Sequence, residues 1–202
     1  RYIQDNDEMM QYEIDIALED ARLFVSQDAP ALSGVALEKL ISHYNQVQKL
    51  FNRLTHRYPL AILNELIYSP ALSTEFAKEE ANITAWNEQF VNQLMAKEVD
   101  GSFYRTNVFF NTERYIYEPE IIVTTHGMDT IYRLDFNFMT SNEYARIVEL
   151  MLELKDLLTA TAYVQRGERQ QPVSSFAEAL DWLVKESRKG LTIQRYKGLG
   201  EM

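Results

Sequence analysis

The most regular hydrophobic spacing in this chain falls between residues 33 and 56. Its apolar side chains follow one another alternately three and four positions apart: Leu37, Leu40, Tyr44, Val47, Phe51 and Leu54. On an α-helix that spacing gathers all six into one stripe, and Ser33 offers a side-chain oxygen suited to an N-cap. A stripe about six turns long must be covered by another apolar surface. The chain is therefore predicted to contain a long helix that packs against other helices.

Two more helices are predicted directly after the first. Pro59 suits the start of a helix over residues 60–68. Residues 79–96 place four large apolar side chains on one face of a longer helix: Ile83, Trp86, Phe90 and Leu94. Because short loops join these successive helices, we expect an antiparallel helical subdomain over residues 33–98.

The hydrophobic period changes from helical to alternating near residue 102. Three runs rich in aromatic and β-branched residues, 102–110, 115–125 and 130–139, predict a small antiparallel sheet over residues 102–139. The third run alternates over its whole length, and a hairpin turn over residues 126–129 precedes it. Pro119 cannot donate a ladder hydrogen bond, so its strand is expected to be an edge strand or to carry a bulge.

Three further helices are predicted from periodicity and capping residues. Residues 6–18 are amphipathic. A capping box of Thr140 and Glu143 opens a helix over residues 140–160, and Ser175 with Glu178 opens another that runs to Lys189. Gly190 stands at the C′ position, where glycine commonly ends a helix.

Short strands complete the predicted architecture. We expect them at residues 21–25, 163–165 and 191–194, with a polar loop over residues 166–172. Helical segments and an antiparallel sheet that follow one another along the chain, rather than alternating, indicate the α+β class.

Composition sets further bounds on the chain. Its 202 residues, 46% hydrophobic, are enough to bury a sizeable core in one domain or two small ones. The absence of cysteine excludes disulfides and thiol catalysis and is typical of a reducing, cytoplasmic setting. No apolar run approaches the length of a membrane span, and the opening Arg1 favours a piece internal to a longer protein.

Charge is distributed unevenly along the chain. From Arg166 onward there are seven Lys and Arg residues and five Asp and Glu residues, a net charge of +2. Because the whole chain carries −10, the residues before Arg166 together carry −12. An acidic body is repelled by DNA phosphates. Any contact with nucleic acid is therefore expected from the C-terminal strip or from local basic spots.

No catalytic or metal-binding constellation is visible in the sequence. His43, His56 and His126 are too far apart to share a ligand set on one helix face. The nearest approach to a metal motif, Asp5-Asn6-Asp7, lacks a preceding apolar strand and a third acidic partner. No Ser/His/Asp arrangement and no phosphate-loop glycine pattern stands out. We therefore assign no catalytic residue, no metal site and no cofactor to the chain itself.

The most informative motif closes the chain. Residues 194–202 read Gln194, Arg195, Tyr196, Lys197, Gly198, Leu199, Gly200, Glu201 and Met202. This string resembles the RYKGLGEM signature of the B subunits of bacterial type IIA topoisomerases, where it lies near the end of the metal-binding TOPRIM domain. In an extended segment Arg195 and Lys197 point the same way. We expect them to contact DNA phosphate or to order the cleavage region; salt bridges that hold a TOPRIM strand are the alternative role.

The resemblance extends over the whole chain. Residues 166–190, the His126–Thr130 turn, residues 36–40 and the first eighteen residues are similar to gyrase B subunits of Gram-negative type, which carry an insertion within TOPRIM. The resemblance implies that residues 1–20 lead into TOPRIM, residues 21–172 form the insertion and residues 173–202 return to TOPRIM with the signature. The insertion would then comprise the helical part 33–98, the sheet 102–139 and the helix 140–160.

Much of what the family does depends on parts outside this sequence. Its EG-D and Asp-x-Asp-x-x-Gly metal motifs are absent here, as are its ATP-binding domain and the DNA-linking tyrosine of the A subunit. The resemblance implies an ATP-dependent enzyme that introduces negative supercoils into DNA, requires Mg²⁺ and ATP, and assembles with the A subunit as a cytoplasmic A2B2 heterotetramer. The present chain would be a scaffold without activity of its own. A topoisomerase IV B subunit is a weaker match, and a free-standing protein–protein interaction module, with its stripe 37–54 docking a partner helix, is the second class of function.

Overall fold

The computed structural model describes residues 12, 15–154, 157 and 161–200, and their side chains as far as residue 189. The helices are α1 (Gly34–Leu54), α2 (Leu60–Leu66), α3 (Glu80–Lys97), α4 (Phe136–Met139), α5 (Asn142–Leu154) and α6 (Phe176–Gly200), with a 3₁₀ turn at Phe76–Lys78. The strands are β1 (Ala21–Phe24), β2 (Ala31–Leu32), β3 (Phe103–Asn111), β4 (Ile116–Thr125), β5 (Met128–Arg133), β6 (Tyr163–Arg166) and β7 (Arg169–Pro172). The predicted α+β class is confirmed.

The chain divides into two compact units. The first comprises residues 1–43 and 154–202, and the second comprises residues 44–153. The first unit contains a four-stranded antiparallel sheet in the order β2-β1-β6-β7. Leu23 on β1 and Val164 on β6 lie opposite each other and are buried, as are Ala179 and Leu183 of α6. Helix α6 packs on β6, so these elements share one core.

The second unit contains the three-stranded sheet β3-β4-β5, with α3 packed against β3 and β4. The four apolar residues predicted to line one face of α3 are all buried: Ile83, Trp86, Phe90 and Leu94. Phe138 of α4 packs between the rings of Tyr58 and Tyr144, with centroids 5.0 Å from each. The Tyr144 hydroxyl accepts a hydrogen bond from the Leu72 backbone N–H at 2.7 Å.

The predicted stripe of α1 is largely confirmed. Leu37, Val47, Phe51 and Leu54 are buried inside the chain, whereas Leu40 and Tyr44 are half-buried. Ile41 and Leu50, which the three-and-four spacing did not include, are buried as well and widen the stripe. A helix face directed at a globular core is wider than a two-position seam.

The third predicted strand of the sheet, over residues 130–139, was wrong in its second half. Strand β5 ends at Arg133, and α4 follows after Asp135, whose carboxylate caps the helix by accepting from the Phe138 N–H at 2.9 Å. Leu134 and Phe138 are spaced by four as well as alternating, so the apolar pattern fits a helical turn equally well. The cap decides the outcome.

The expectation for Pro119 was also wrong, because β4 is the central strand of its sheet and its pairing with β3 runs through Pro119 without a bulge. Pro119 lies opposite Val108 on β3, and its carbonyl accepts a hydrogen bond from the Leu134 N–H at 2.9 Å. The nitrogen and carbonyl of a strand residue point to the same side, so the missing N–H faces the end of β5. The β3–β4 ladder therefore loses no hydrogen bond.

The predicted loop over residues 166–172 is instead a hairpin, since β7 pairs with β6 over residues 169–172. Helix α5 begins at Asn142, and its cap is Ser141 rather than the predicted Thr140. The Ser141 hydroxyl accepts from the Tyr144 N–H at 3.1 Å, whereas the Thr140 hydroxyl donates to the Phe136 carbonyl. Within the predicted helix 6–18, residues 12 and 15–18 are helical and the others lie outside the described residues. In the predicted helix 140–160, residues 155, 156 and 158–160 lie outside them as well.

The C-terminal end differs most from expectation. Helix α6 does not stop at Gly190, and the strand predicted at residues 191–194 is absent, because the helix continues to Gly200. An interior glycine costs only about 1 kcal/mol relative to alanine, so it does not by itself end a helix that is already formed. Among the helices that the structure describes, none combines the length and apolar composition needed to cross a bilayer.

Candidate functional site

The residues predicted to contact DNA lie at the end of α6. Residues 194–200 of the signature are helical, while Glu201 and Met202 lie outside the described residues. The extended conformation assumed for Arg195 and Lys197 was therefore wrong. Their role in phosphate contact, or in a salt bridge, stays a prediction.

The structure brings together two distant segments in the first unit. Strands β1 and β6 pair antiparallel, with Ala21 opposite Arg166 and Phe24 opposite Tyr163. The rings of Phe24 and Tyr163 stack with centroids 4.4 Å apart. The Gly167 N–H donates to the Asp20 carbonyl at 3.4 Å, which continues the contact past the strand ends. The segment between these strands thus begins and ends at neighbouring points.

Helix α6 is anchored beside this pairing. The Ser175 hydroxyl accepts from the Glu178 N–H at 3.2 Å, as expected of the predicted cap. The Glu178 carboxylate accepts from the backbone N–H and the hydroxyl of Ser174, one residue earlier than a capping box requires. The Val173 N–H donates to the Ala162 carbonyl at 3.1 Å and ties the start of the helix to the β6 strand region.

A cluster of cations lies where the β6–β7 hairpin meets α6, and we call Arg166, Arg169, Glu186 and Lys189 the hairpin patch. The buried Glu186 carboxylate accepts from an Arg169 guanidinium nitrogen at 3.0 Å and lies 3.4 Å from the Lys189 ammonium. The Arg169 and Lys189 side chains remain 66% and 63% exposed. Arg166 donates to the Ile16 carbonyl, and its buried Nε has no hydrogen-bond partner among the described residues. The Glu186 carboxylate thus positions two exposed cations, Arg169 and Lys189, in the same cluster as Arg166.

A second polar cluster covers the face of the β3-β4-β5 sheet opposite Ile121, and we call it the sheet cluster. Its two buried carboxylates, Glu118 and Glu120, lie on β4. Glu120 accepts from Arg133 Nε at 3.0 Å and a terminal nitrogen at 2.9 Å, and from the Asn107 amide at 2.8 Å. The Arg133 guanidinium lies 3.5 Å from the Phe109 ring centroid.

Glu118 joins the sheet to α4. Its carboxylate accepts from the Phe136 backbone N–H at 2.7 Å and from the Asn111 amide at 3.0 Å. The Arg114 guanidinium stacks over the Phe136 ring at 4.2 Å. A cavity of about 400 Å³ opens beside these groups and is also lined by Asn137 and Asp135. Because hydrogen bonds from several elements converge on buried carboxylates, the cluster fixes where β5 ends and α4 begins.

One more carboxylate is buried between helices of the second unit. Glu65 on α2 is 2% exposed, and one of its oxygens accepts from the Lys97 ammonium at 2.7 Å while the other has no partner among the described residues. Burial raises the pKa of the Glu65 carboxyl, and the Lys97 ammonium offsets part of that rise. The Lys97 ammonium also lies 4.5 Å from the ring centroid of Tyr68, whose pKa burial raises to about 12.

Sequence reasoning missed these buried carboxylates. Glu118 and Glu120 alternate along a strand, and Glu120 lies opposite Asn107 on one neighbouring strand and opposite Arg133 on the other. That pattern signals a polar network on one face of a sheet. Glu65 gave no such signal. Within the ranges that the structure describes, no group of three or more His, Asp or Glu side chains is arranged to hold a metal ion.

Known proteins resemble this chain over its whole length. The family model of the DNA gyrase B subunit insert domain matches residues 21–187. The DNA gyrase B subunit of Caulobacter vibrioides (strain NA1000 / CB15N) is 26% identical over 204 residues, covering 100% of this chain and 23% of the relative. The type 2 topoisomerase B subunit of Aquifex aeolicus (strain VF5) is 24% identical over 202 residues, with the same coverage.

These matches confirm the resemblance to B subunits of type IIA topoisomerases. The chain spans 23% of the length of these curated relatives. The division of the chain at residues 20 and 172 stays a prediction. Since the family model covers residues 21–187, most of the chain, the chain belongs to the DNA gyrase B subunit insert domain family.

Proposed function

We propose that this chain serves as a scaffold within a DNA gyrase B subunit. In this proposal the whole enzyme uses ATP and Mg²⁺ to introduce negative supercoils into DNA and assembles with the gyrase A subunit as a cytoplasmic A2B2 heterotetramer. The insertion contributes geometry rather than chemistry: it holds TOPRIM, DNA and the partner domains in register. The relatives named as DNA gyrase B subunits support the gyrase part of the proposal.

The pairing of β1 with β6 carries the proposal. A segment whose two ends are adjacent can be inserted into another domain without separating the parts that it interrupts. Here Ala21 lies opposite Arg166, and the Gly167 N–H reaches the Asp20 carbonyl. The interrupted domain therefore needs to accommodate only two adjacent chain segments, those at residues 20–21 and 166–167.

The second unit supports a rigid role. Its core includes Phe51, Phe90 and Phe138, each no more than 2% exposed, and its sheet cluster locks β5 to α4 by hydrogen bonds to buried carboxylates. Satisfied buried polar networks favour one arrangement of a fold. A module of this kind transmits position rather than performing a reaction.

A free-standing interaction module is less well supported. That alternative required the stripe 37–54 to dock a partner helix. Leu37, Val47 and Phe51 are each at most 1% exposed within this chain, so the stripe is already covered. The topoisomerase IV alternative is disfavoured by the match to the gyrase insert domain.

The proposal is tested by comparing the isolated chain with the intact subunit. With Mg²⁺ and ATP, the isolated chain is expected neither to cleave nor to relax supercoiled plasmid. The intact subunit, mixed with its A subunit, is expected to supercoil relaxed plasmid in an ATP-dependent reaction. Relaxation by rigorously purified isolated chain would overturn the scaffold role, and an intact subunit that only relaxes DNA would overturn the assignment to gyrase activity.

A further inference from the structure

We propose that the hairpin patch binds the phosphate backbone of duplex DNA through Arg166, Arg169 and Lys189. This inference rests on the proposed function, because it presumes that the intact subunit acts on DNA. It adds a phosphate-contacting surface at the base of the insertion, apart from the signature residues Arg195 and Lys197.

The charge of this region is opposite to that of the second unit. Residues 166–169 and 181–189 contain five Lys and Arg residues against Glu168, Asp181 and Glu186, a balance of +2. Residues 44–153 contain nine Lys and Arg against fifteen Asp and Glu, a balance of −6. An anionic polymer is therefore attracted to the hairpin patch and repelled by the second unit.

Hydrogen-bond donors outnumber acceptors in the patch. Within the described part of the chain, Glu186 is the carboxylate bonded to Arg169 and Lys189, both of which are more than 60% exposed. A guanidinium has five N–H groups and an ammonium has three, so most of their donors stay available. The buried Nε of Arg166 has no acceptor among the described residues, although Arg166 lies opposite Arg169 in the hairpin. Phosphate oxygens would satisfy the exposed donors of Arg169 and Lys189.

The position of the patch favours an extended polyanion over a small anion. Helix α6 continues from Lys189 to Gly200 and includes positions 195 and 197. Along the axis of a helix, positions 189 and 195 are about 9 Å apart, which corresponds to an axial rise of two to three base pairs of duplex DNA at about 3.4 Å each. An extended polyanion can therefore follow α6 beyond the hairpin patch, whereas a small anion cannot.

The test measures DNA binding by the intact subunit that carries this chain. We would follow the fluorescence anisotropy of a labelled duplex of about 30 base pairs, a length that exceeds a single module's footprint, over a range of salt concentrations. The variants are Arg169→Gln/Lys189→Gln and the milder Lys189→Gln alone. The matched control is Arg53→Gln/Arg146→Gln, which removes the same charge from exposed helix positions of the second unit. Thermal melting establishes that each variant is folded.

Each phosphate contact adds about −0.9 to the slope of log affinity against log salt concentration. The double patch variant is expected to reduce the magnitude of that slope by about 2 and Lys189→Gln by about 1, while the control changes it little. Equal slopes for the folded patch variants and the control would overturn the proposal, as would a patch effect seen with an acidic peptide probe but not with the duplex. Failure of the wild-type subunit to supercoil with its A subunit would instead count against the proposed function.

Discussion

Ala21 and Arg166 lie opposite each other across the β1–β6 ladder, although nearly the whole insert-domain match separates them in the chain. This pairing brings the two ends of the segment between β1 and β6 together, which we call the base of that segment. Because α6 packs on β6, the base and the C-terminal helix form one core. A deletion that preserves the base must spare both β1 and β6.

The sheet cluster predicts that two arginines on the same sheet face contribute very differently to the free energy of unfolding. Arg133→Ala leaves the Glu120 carboxylate, only 8% exposed, without its cation, and is expected to lower the free energy of unfolding by about 2 kcal/mol. Arg105→Ala breaks a pair whose side chains are both more than half exposed and screened by solvent, and is expected to change the free energy of unfolding much less. Urea denaturation of both variants gives the comparison. Equal losses would show that the Glu120–Arg133 pair does not organise the sheet.

Glu65 predicts a specific dependence of stability on pH. Burial raises the pKa of its carboxyl in the folded state, so the folded state binds the proton more tightly than the unfolded chain. The contribution of Glu65 is therefore fully present below the ordinary carboxyl pKa and is lost as pH rises through the raised pKa. Relative to Glu65→Gln, which cannot ionise, the wild type should lose stability as pH rises above the ordinary glutamate pKa of about 4. Chemical denaturation across this range checks the sign, and a relative gain would contradict it.

The β4–β5 hairpin turn predicts opposite effects at neighbouring positions. His126 and Gly127 both adopt positive φ, 52° and 77°. Asparagine tolerates this region better than histidine, so His126→Asn is expected to raise the melting temperature slightly, corresponding to about 0.5 kcal/mol. Gly127→Ala meets no atom within 4 Å, so its expected loss of about 1 kcal/mol comes from backbone strain alone. A neutral Gly127→Ala would mean that the turn readily adopts another conformation.

Burial of the α1 stripe predicts that a substitution within it lowers stability much more than a substitution on the exposed side of the same helix. Phe51 is fully buried, and Phe51→Ala is expected to cost about 3–5 kcal/mol. Val35 is 67% exposed on the first turn of α1, so Val35→Ala should change stability by less than about 0.5 kcal/mol. Calorimetric unfolding separates the two. If Phe51→Ala were tolerated and bound a partner less well, the stripe would be an interface after all.

Sequence reasoning succeeded where one local signal dominated. The helices at Gly34–Leu54 and Glu80–Lys97 follow from apolar spacing, and the turn at residues 126–127 follows from its glycine between β-prone runs. It failed where two signals compete. The apolar residues of 134–138 fit both a strand and a helix, and the Asp135 cap selects the helix. Gly190 predicts a helix end, yet α6 continues past it.

The functional arrangement was harder to predict than the elements. Nothing local to Ala21 or Arg166 indicates that they pair, because such contacts depend on the fold of everything between them. Arg169 was predicted to lie in a polar loop, so its contact with Glu186 on α6 was not visible in the sequence. The hairpin patch emerges only once β6, β7 and α6 are placed together.

The most direct test of the scaffold role is deletion of the second unit from the intact subunit. Residues 44–153 would be replaced by a flexible linker of about ten residues, which leaves β1, β6 and α6 in place. With the A subunit present, ATP-dependent supercoiling is measured beside ATP hydrolysis in the absence of DNA. We predict that supercoiling falls severely while DNA-independent hydrolysis is retained. Supercoiling at the wild-type rate with unchanged DNA affinity would contradict the scaffold role.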